Sequence, residues 1–257
     1  MIGLIATDFD GTIHHAESVP RIPQDLVNWL RFAQSSGTRW VICSGRQLNA
    51  EFAEELRPLN GDPMPDFVVT VEREIHVRNN GWYSPDEEWN ARCASQHGEL
   101  FALHRDLLDE VRDWLESKTR AQVYADDWSP LNIIASTPVE ADKIHRRMVE
   151  KYQAAPDLLV VRNSVYFRHG HRGFTKGTAL GEIARRLGLK KDIVFAAGDH
   201  HNDLTMLDGV HAGLVAAPAN AIQEVKELVR QAGGYVAGQQ FGLGTLEALR
   251  FYDSKQV

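Results

Sequence analysis

Apolar positions along the chain fall into two kinds of run, short unbroken ones and longer ones spaced three and four apart. Ile2–Thr7 is a short apolar run closed by a carboxylate, which predicts a buried strand. Pro23 opens a segment in which Leu26, Val27, Leu30 and Phe32–Ala33 mark an amphipathic helix, and Gly37 stops it. Trp40–Cys43 predicts a second buried strand ending at Ser44-Gly45-Arg46. A helix is expected from about Leu48 to Leu56, stopped by Pro58, and Phe67–Thr70 is a third apolar strand. Strand–helix–strand–helix–strand is the arrangement of a parallel sheet with helices on its faces.

The pattern then changes. Glu74-Ile75-His76-Val77 and Trp82-Tyr83 flank Asn79-Asn80-Gly81, whose Asn-Gly step signals a hairpin. Beyond Pro85, Leu103, Leu107, Leu108, Val111 and Leu115 predict one helix from about Glu99 to Ser117. Short strands are expected at Ala121–Tyr124 and Leu131–Ala135, a helix from about Val139 to Tyr152, and strands at Leu158–Val161 and Val165–Phe167. Without strict alternation, this stretch reads as an inserted α+β module. The first pattern then returns. Thr175–Leu187 is a helix closed by Gly188, and Ile193–Ala197 a strand ending at Gly198-Asp199. A helix near Asn202–Leu207, a strand near Ala212–Ala216 and helices near Ala221–Ala232 and Gly244–Tyr252 follow. The expected organisation is an α/β core in two segments, 1–84 and 168–257, with an α+β domain at 85–167 between them.

Composition narrows the function classes. Of 257 residues, 43% are hydrophobic and 25% charged, which is ordinary for a globular protein and unlike a disordered or fibrous one. Acids outnumber bases 35 to 28, a formal charge of −7, which argues against a general nucleic-acid binder. The two cysteines, Cys43 and Cys93, fit a reducing compartment, and Cys43 reads as a core residue. Met1–Ala6 is shorter than the roughly 7–15 apolar residues of a secretory signal. No apolar run approaches the roughly 18 residues that span a bilayer. A cytoplasmic protein without a membrane, nucleic-acid or obligate protein partner is therefore expected.

Four features fall at predicted strand ends or helix starts, where open α/β sheets bind ligands. Asp8-Phe9-Asp10-Gly11-Thr12 puts two carboxylates one residue apart after a buried strand, costly unless a cation or a turn rewards them. Ser44-Gly45-Arg46 offers a hydroxyl and backbone N–H groups to an anion, although Ser is also a common cap. Lys176 opens a helix, where its charge opposes the positive helix end unless an anion lies between. Gly198-Asp199-His200-His201-Asn202-Asp203 adds two more acids at a strand-to-helix junction. Adjacent histidines without zinc spacing argue against zinc, and the oxygen-rich set suggests a hard cation such as Mg²⁺.

In order and context these motifs resemble the haloacid dehalogenase superfamily, in particular Cof-like members with a IIB-type cap. The resemblance covers essentially the whole chain and implies a Rossmann-like core, with 85–167 as a cap that closes over the substrate. Val71–Trp89 further resembles sucrose-phosphate phosphatases and related sugar phosphatases. What the resemblance implies is a Mg²⁺-dependent phosphatase acting on a small phosphorylated metabolite through an aspartyl phosphate. Asp8 would attack phosphorus and Asp10 would serve as acid and then base. Mg²⁺ would be held by Asp8, the Asp10 backbone carbonyl and Asp199. Ser44, Gly45, Lys176 and Asn202, with Thr12 and the backbone of Phe9 and Gly11, would bind the phosphoryl group, and Asn202 and Asp203 would orient Lys176 and the metal's water shell. The alternatives are a phosphoryl mutase or transferase of the same superfamily, a phospho-accepting switch, or a silent sugar-phosphate binder.

Two departures from the family pattern stand out. His200-His201 occupies a place where Ser-Gly is usual, and the histidines are expected to face solvent. Ahead of Lys176, Tyr166-Phe167-Arg168-His169-Gly170-His171-Arg172 replaces an acid and a proline. Arg168 and His169, together with Arg46, are the candidates for contacts to the substrate beyond its phosphate.

Overall fold

The computed structural model describes residues 2–56, 59 and 63–255, so the helix stop expected at Pro58 lies outside the described residues. The chain forms two compact units, Met1–Asp86 with Lys176–Val257, and Glu87–Thr175. Residues 168–175, assigned to the core from sequence, fall within the second unit.

The first unit is α/β. Its eight-stranded sheet has the order β12-β11-β10-β1-β2-β3-β4-β5. The strands are β1 (Leu4–Asp8), β2 (Arg39–Cys43), β3 (Phe67–Thr70), β4 (Glu74–Asn79), β5 (Trp82–Pro85), β10 (Val194–Ala197), β11 (Leu214–Ala217) and β12 (Tyr235–Val236). From β12 to β3 every pairing is parallel, and β3-β4-β5 is antiparallel. All of β1 and β10 is buried, as strands covered on both faces require. The chain steps from β1 towards β2 and β3 on one side and returns through β10 on the other, so β1 is the switch point of the sheet.

Helices cover the sheet. α1 (Gln24–Ser35) buries Leu26, Val27, Leu30 and Ala33, the stripe visible in the sequence. α9 (Phe241–Ser254) is tied to the sheet by its Tyr252 hydroxyl, which donates to the Val215 carbonyl at 2.9 Å. Trp40 is fully buried, and its indole N–H donates to the Thr7 hydroxyl at 3.2 Å, so the largest core side chain leaves no polar atom unpaired. The hairpin turn puts Asn80 at φ 51° and Gly81 at φ 84°, the left-handed pair that an Asn-Gly step accommodates.

The second unit is α+β. Its antiparallel sheet has the order β6-β7-β9-β8, from β6 (Gln122–Asp126), β7 (Ser129–Ile134), β8 (Leu158–Asn163) and β9 (Tyr166–His171). Leu131, Ile133 and Phe167 from the sheet join Leu115, Ile144 and Met148 from helices in one core. The single helix expected over 99–117 is two, α3 (Glu87–Leu103) and α4 (Arg105–Lys118), broken at His104. The buried stripe of α3 is Trp89, Cys93, His97 and Leu100, so its periodicity runs through residues that a purely aliphatic count passes over. Leu103, counted into that stripe from sequence, is 77% exposed. α5 (Pro138–Lys151) begins at the Thr137 cap, whose hydroxyl accepts from the Glu140 N–H at 3.1 Å.

α6 (Lys176–Arg186) and α7 (Leu204–Leu207) of the first unit approach so closely that a Cβ on Gly177 would run into the Thr205 carbonyl. Gly98, inside α3, has open space around a would-be Cβ. Gly98→Ala is therefore expected to stabilise the chain by up to about 1 kcal/mol, and Gly177→Ala to destabilise it by about 2 kcal/mol or more. Urea unfolding checks both, and an unaffected Gly177→Ala would mean that the two helices are not in close contact.

Candidate active site

The ends of β1, β2, β3 and β10, neighbours in one sheet, deliver the functional side chains of the first unit to one place. Asp8 is the last residue of β1, Ser44 follows β2, Glu72 lies just past β3, and Asp199 follows β10. Lys176, the first residue of α6, is 1% exposed. Its Nζ donates to Asp8 Oδ1 at 2.7 Å and to Asp203 Oδ1 at 2.8 Å, and Glu72 Oε2 is 3.6 Å away. These carboxylates are the anions that make a lysine at a helix start favourable.

Asp203 organises the loop as well as the lysine. Its other oxygen accepts from the Asp199 N–H at 2.9 Å and the His200 N–H at 3.1 Å. Asn202 donates from Nδ2 to Glu72 Oε1 at 3.2 Å, while its Oδ1 is buried without a hydrogen-bond partner. Thr12 donates to Asp199 Oδ1 at 3.1 Å. Gly11 has φ +80°, and a Cβ there would strike the Asp199 carboxylate. Glycine is thus required at that point on two counts.

The electrostatics follow from crowding. Burial, and then Asp203, push the Asp8 carboxyl well above its usual range against the pull of Lys176. Burial and Asp203 likewise push Asp199 up to about 7. Burial opposes the charged form of Lys176, but Asp203, Asp8 and Glu72 outweigh it and hold the ammonium well above its ordinary value. Among the described residues, Asp8, Asp199 and Asp203 each bring a carboxylate oxygen within 4.8 Å of the others. This is an all-oxygen set short of positive charge. It fits a hard divalent cation. Asp203 joins this cluster although sequence reasoning made it a supporting residue, while its oxygens are occupied by Lys176 and two backbone N–H groups.

The other expected residues are distributed as follows. The Asp10 side chain is not among the carboxylates that Lys176 bonds or faces. It receives Arg46 Nε at 2.7 Å and Arg46 Nη2 at 2.6 Å, and His14 Nδ1 is 3.4 Å away. Burial alone would raise its pKa, but the bonds to His14 and Arg46 outweigh that and hold the carboxyl below its usual range. Arg46 is thereby committed to Asp10, and its guanidinium also lies over the Phe9 and Phe52 rings. The Phe9 side chain is fully buried, and its carbonyl accepts from the N–H groups of Ile13 and His14.

Ser44 is buried, and its hydroxyl accepts from the Arg46 N–H at 3.1 Å. Ser44-Gly45-Arg46 does not open a helix, because α2 (Ala50–Glu55) starts later, where Asn49 caps it by accepting from the Phe52 N–H. His200 Nδ1 accepts from the His201 N–H and so caps the short turn before α7; neither histidine belongs to the carboxylate cluster. Cys43 is buried, and burial pushes its thiol up, as suits a core residue.

In the second unit, His169 is not available for substrate contact. It is 0% exposed, its Nδ1 bonds the Leu131 carbonyl at 2.6 Å, and its Nε2 meets the Tyr152 hydroxyl at 2.5 Å. Burial lowers its pKa to about 4, so it is a neutral core histidine. Arg168 donates to Asp126 Oδ2 at 3.0 Å.

Two residues were missed from sequence. Glu72 falls between the predicted third strand and the hairpin; its signal was an acid just past an apolar strand, the same signal that marked Asp8 and Asp199. Asn220 donates to the Gly11 carbonyl at 2.8 Å and accepts from the Phe241 N–H at 2.7 Å, bracing the first motif from the end of β11.

A profile described as haloacid dehalogenase-like hydrolase matches residues 75–235. The chain is 26% identical to the 5-amino-6-(5-phospho-D-ribitylamino)uracil phosphatase of Bacillus subtilis, covering 98% of this chain and 96% of that protein. It is 24% identical to a phosphoglycolate phosphatase of Methanoculleus marisnigri, over 98% and 97% of the two chains. Its fold is similar to that of the sucrose-phosphatase from Synechocystis sp. PCC6803 solved with sucrose and phosphate, with a TM-score of 0.72, 18% identity, and coverage of 98% and 99%.

Removing the buried ammonium while keeping its bulk tests the network. Lys176→Met is expected to lower stability by about 3–5 kcal/mol, because it leaves buried carboxylates unpaired. Chemical denaturation measures the loss, and a change below about 1 kcal/mol, the range of an exposed pair, would contradict the burial of this ion pair.

Proposed function

The chain belongs to the haloacid dehalogenase-like hydrolases, and on that footing we propose that it is a Mg²⁺-dependent phosphatase. Its substrate would be a small phosphomonoester, most simply a sugar phosphate or a related polyol phosphate, hydrolysed through an aspartyl phosphate on Asp8. The observation that carries this reading is the Lys176 ammonium, buried between Asp8 and Asp203 in a carboxylate cluster that only added positive charge can balance. Relatives named as phosphatases of a ribityl phosphate and of phosphoglycolate support a small phosphorylated metabolite as substrate.

The chemistry assigns each side chain a task. An Asp8 oxygen attacks phosphorus, an acyl-phosphate bond forms, the ester P–O bond breaks, and the leaving oxygen takes a proton from Asp10. Asp10 then removes a proton from water, the hydroxide attacks the same phosphorus, and the acyl-phosphate bond breaks to free Asp8 and inorganic phosphate. Asp10 is 41% exposed at its side chain, so it can take up the first proton from solvent. The pairing with Arg46 and His14 favours the carboxylate that the second step needs.

Lys176, Ser44 and Asn202 would hold the phosphoryl oxygens, with Lys176 withdrawing charge next to the nucleophile. Asp8, Asp199 and the Asp10 backbone carbonyl would hold Mg²⁺. When bound, the cation supplies the positive charge that lets a phosphate approach an ionised carboxylate.

Asp8→Asn removes the nucleophile with little change in shape. It is expected to lower kcat by more than about a thousandfold with an unaltered circular dichroism spectrum. Phosphate release from p-nitrophenyl phosphate and from a panel of phosphorylated metabolites measures it, and retention of more than a few per cent of the rate would exclude Asp8 as nucleophile. Excess chelator is expected to stop release and added Mg²⁺ to restore it; full activity in chelator would sink the metal assignment. Stoichiometric release of free phosphate separates hydrolysis from transfer to a second hydroxyl.

A further inference from the structure

Glu72 does something in this site that the phosphatase chemistry does not require. Val71 and Glu72 adopt φ 45° and 73°, a left-handed conformation that β-branched and bulky side chains rarely enter. Backbone bonds hold them there: the Val71 N–H donates to the Arg46 carbonyl at 3.0 Å and the Glu72 N–H to the Ser44 carbonyl at 3.1 Å. The turn after β3 is thereby strapped to the loop after β2, and its product is the position of one carboxylate. Glu72 is 7% exposed, receives Asn202 Nδ2 at 3.2 Å, and lies 3.6 Å from Lys176 Nζ. It also presses on Gly45 so closely that a Cβ there would collide with Oε1.

Lys176 and Asn202, with Ser44 and Gly45, are the groups that would bind the phosphoryl oxygens. A carboxylate that accepts from Asn202 and stands 3.6 Å from the Lys176 ammonium is an anion at an anion's place. A phosphate cannot take up the Asn202 hydrogen bond while Glu72 holds it, and two adjacent anions of like sign repel strongly in a buried site. We infer that Glu72 is an internal competitor for the phosphate site, which substrate and product phosphate must displace from Asn202 and from its place beside Lys176 in order to bind. Its consequence is weakened affinity for the phosphate group, so that inorganic phosphate, which has no other contacts to offer, is retained least. This inference rests on the phosphatase reading of the site.

The test uses the full chain with Mg²⁺ and two variants. Glu72→Gln keeps the size and the Asn202 contact while removing the charge, and Glu72→Gly suits the positive φ while removing the side chain. Calorimetric titration with inorganic phosphate is expected to give about tenfold or tighter binding in at least one variant than in the parent protein, with KM for p-nitrophenyl phosphate lowered in parallel. Unchanged or weaker phosphate binding in both variants, with hydrolysis persisting, would overturn the inference, make Glu72 a strut for Asn202, and leave the phosphatase reading standing. Absence of both phosphate binding and hydrolysis in all three proteins would overturn the phosphatase reading and the inference with it.

Discussion

One buried ammonium, Lys176 Nζ, has to balance more negative charge than it carries, and much of the first unit's architecture follows from that. Asp8 and Asp203 bond it directly, Glu72 stands beside it, and Asp199 completes the acidic cluster. Burying several carboxylates with one lysine is expensive for folding alone, since a well-packed apolar core would be at least as stable. The arrangement suits the dication and phosphate of the proposed function. The upward shifts at Asp8 and Asp199 express the same deficit from the carboxylates' side.

Topology makes this concentration possible. The parallel strands β10, β1, β2 and β3 all end on the same edge, and β1 is the point from which the chain winds both ways. The helices behind them fix the details: α6 starts on Lys176, and the His201–Asp203 turn before α7 starts on the His200 cap. The Thr205 backbone at Gly177 and the Asp203 side chain at Gly198 leave no room for a side chain on either glycine, so the elements that carry Lys176 and Asp203 are held against close neighbours.

The sequence carried most of the core sheet and the acidic cluster because both are written in local signals. Unbroken apolar runs closed by acids gave β1 and β10 with Asp8 and Asp199 at their ends. The Asn80-Gly81 hairpin was equally plain. The second unit was less legible where its helical stripe used Trp89, Cys93 and His97 in place of aliphatic residues, and the break at His104 carries no proline or glycine to announce it. His169 was a candidate for substrate contact, yet β9 alternates and buries the Phe167 and His169 side chains. Glu72 carried the same local signal as Asp8 and Asp199, an acid just past an apolar strand. Its approach to Lys176 and the pairing of Asp10 with Arg46 depend on contacts between distant segments, which no local pattern encodes.

The proposed dication site rests on the shortage of positive charge around Lys176. Calorimetric titration of the full chain with Mg²⁺ tests it most directly, because it needs no substrate. One Mg²⁺ is expected to bind per chain, with affinity weakened by at least about tenfold in Asp199→Asn. Failure of the chain to bind Mg²⁺, or equal affinity in Asp199→Asn, would contradict it.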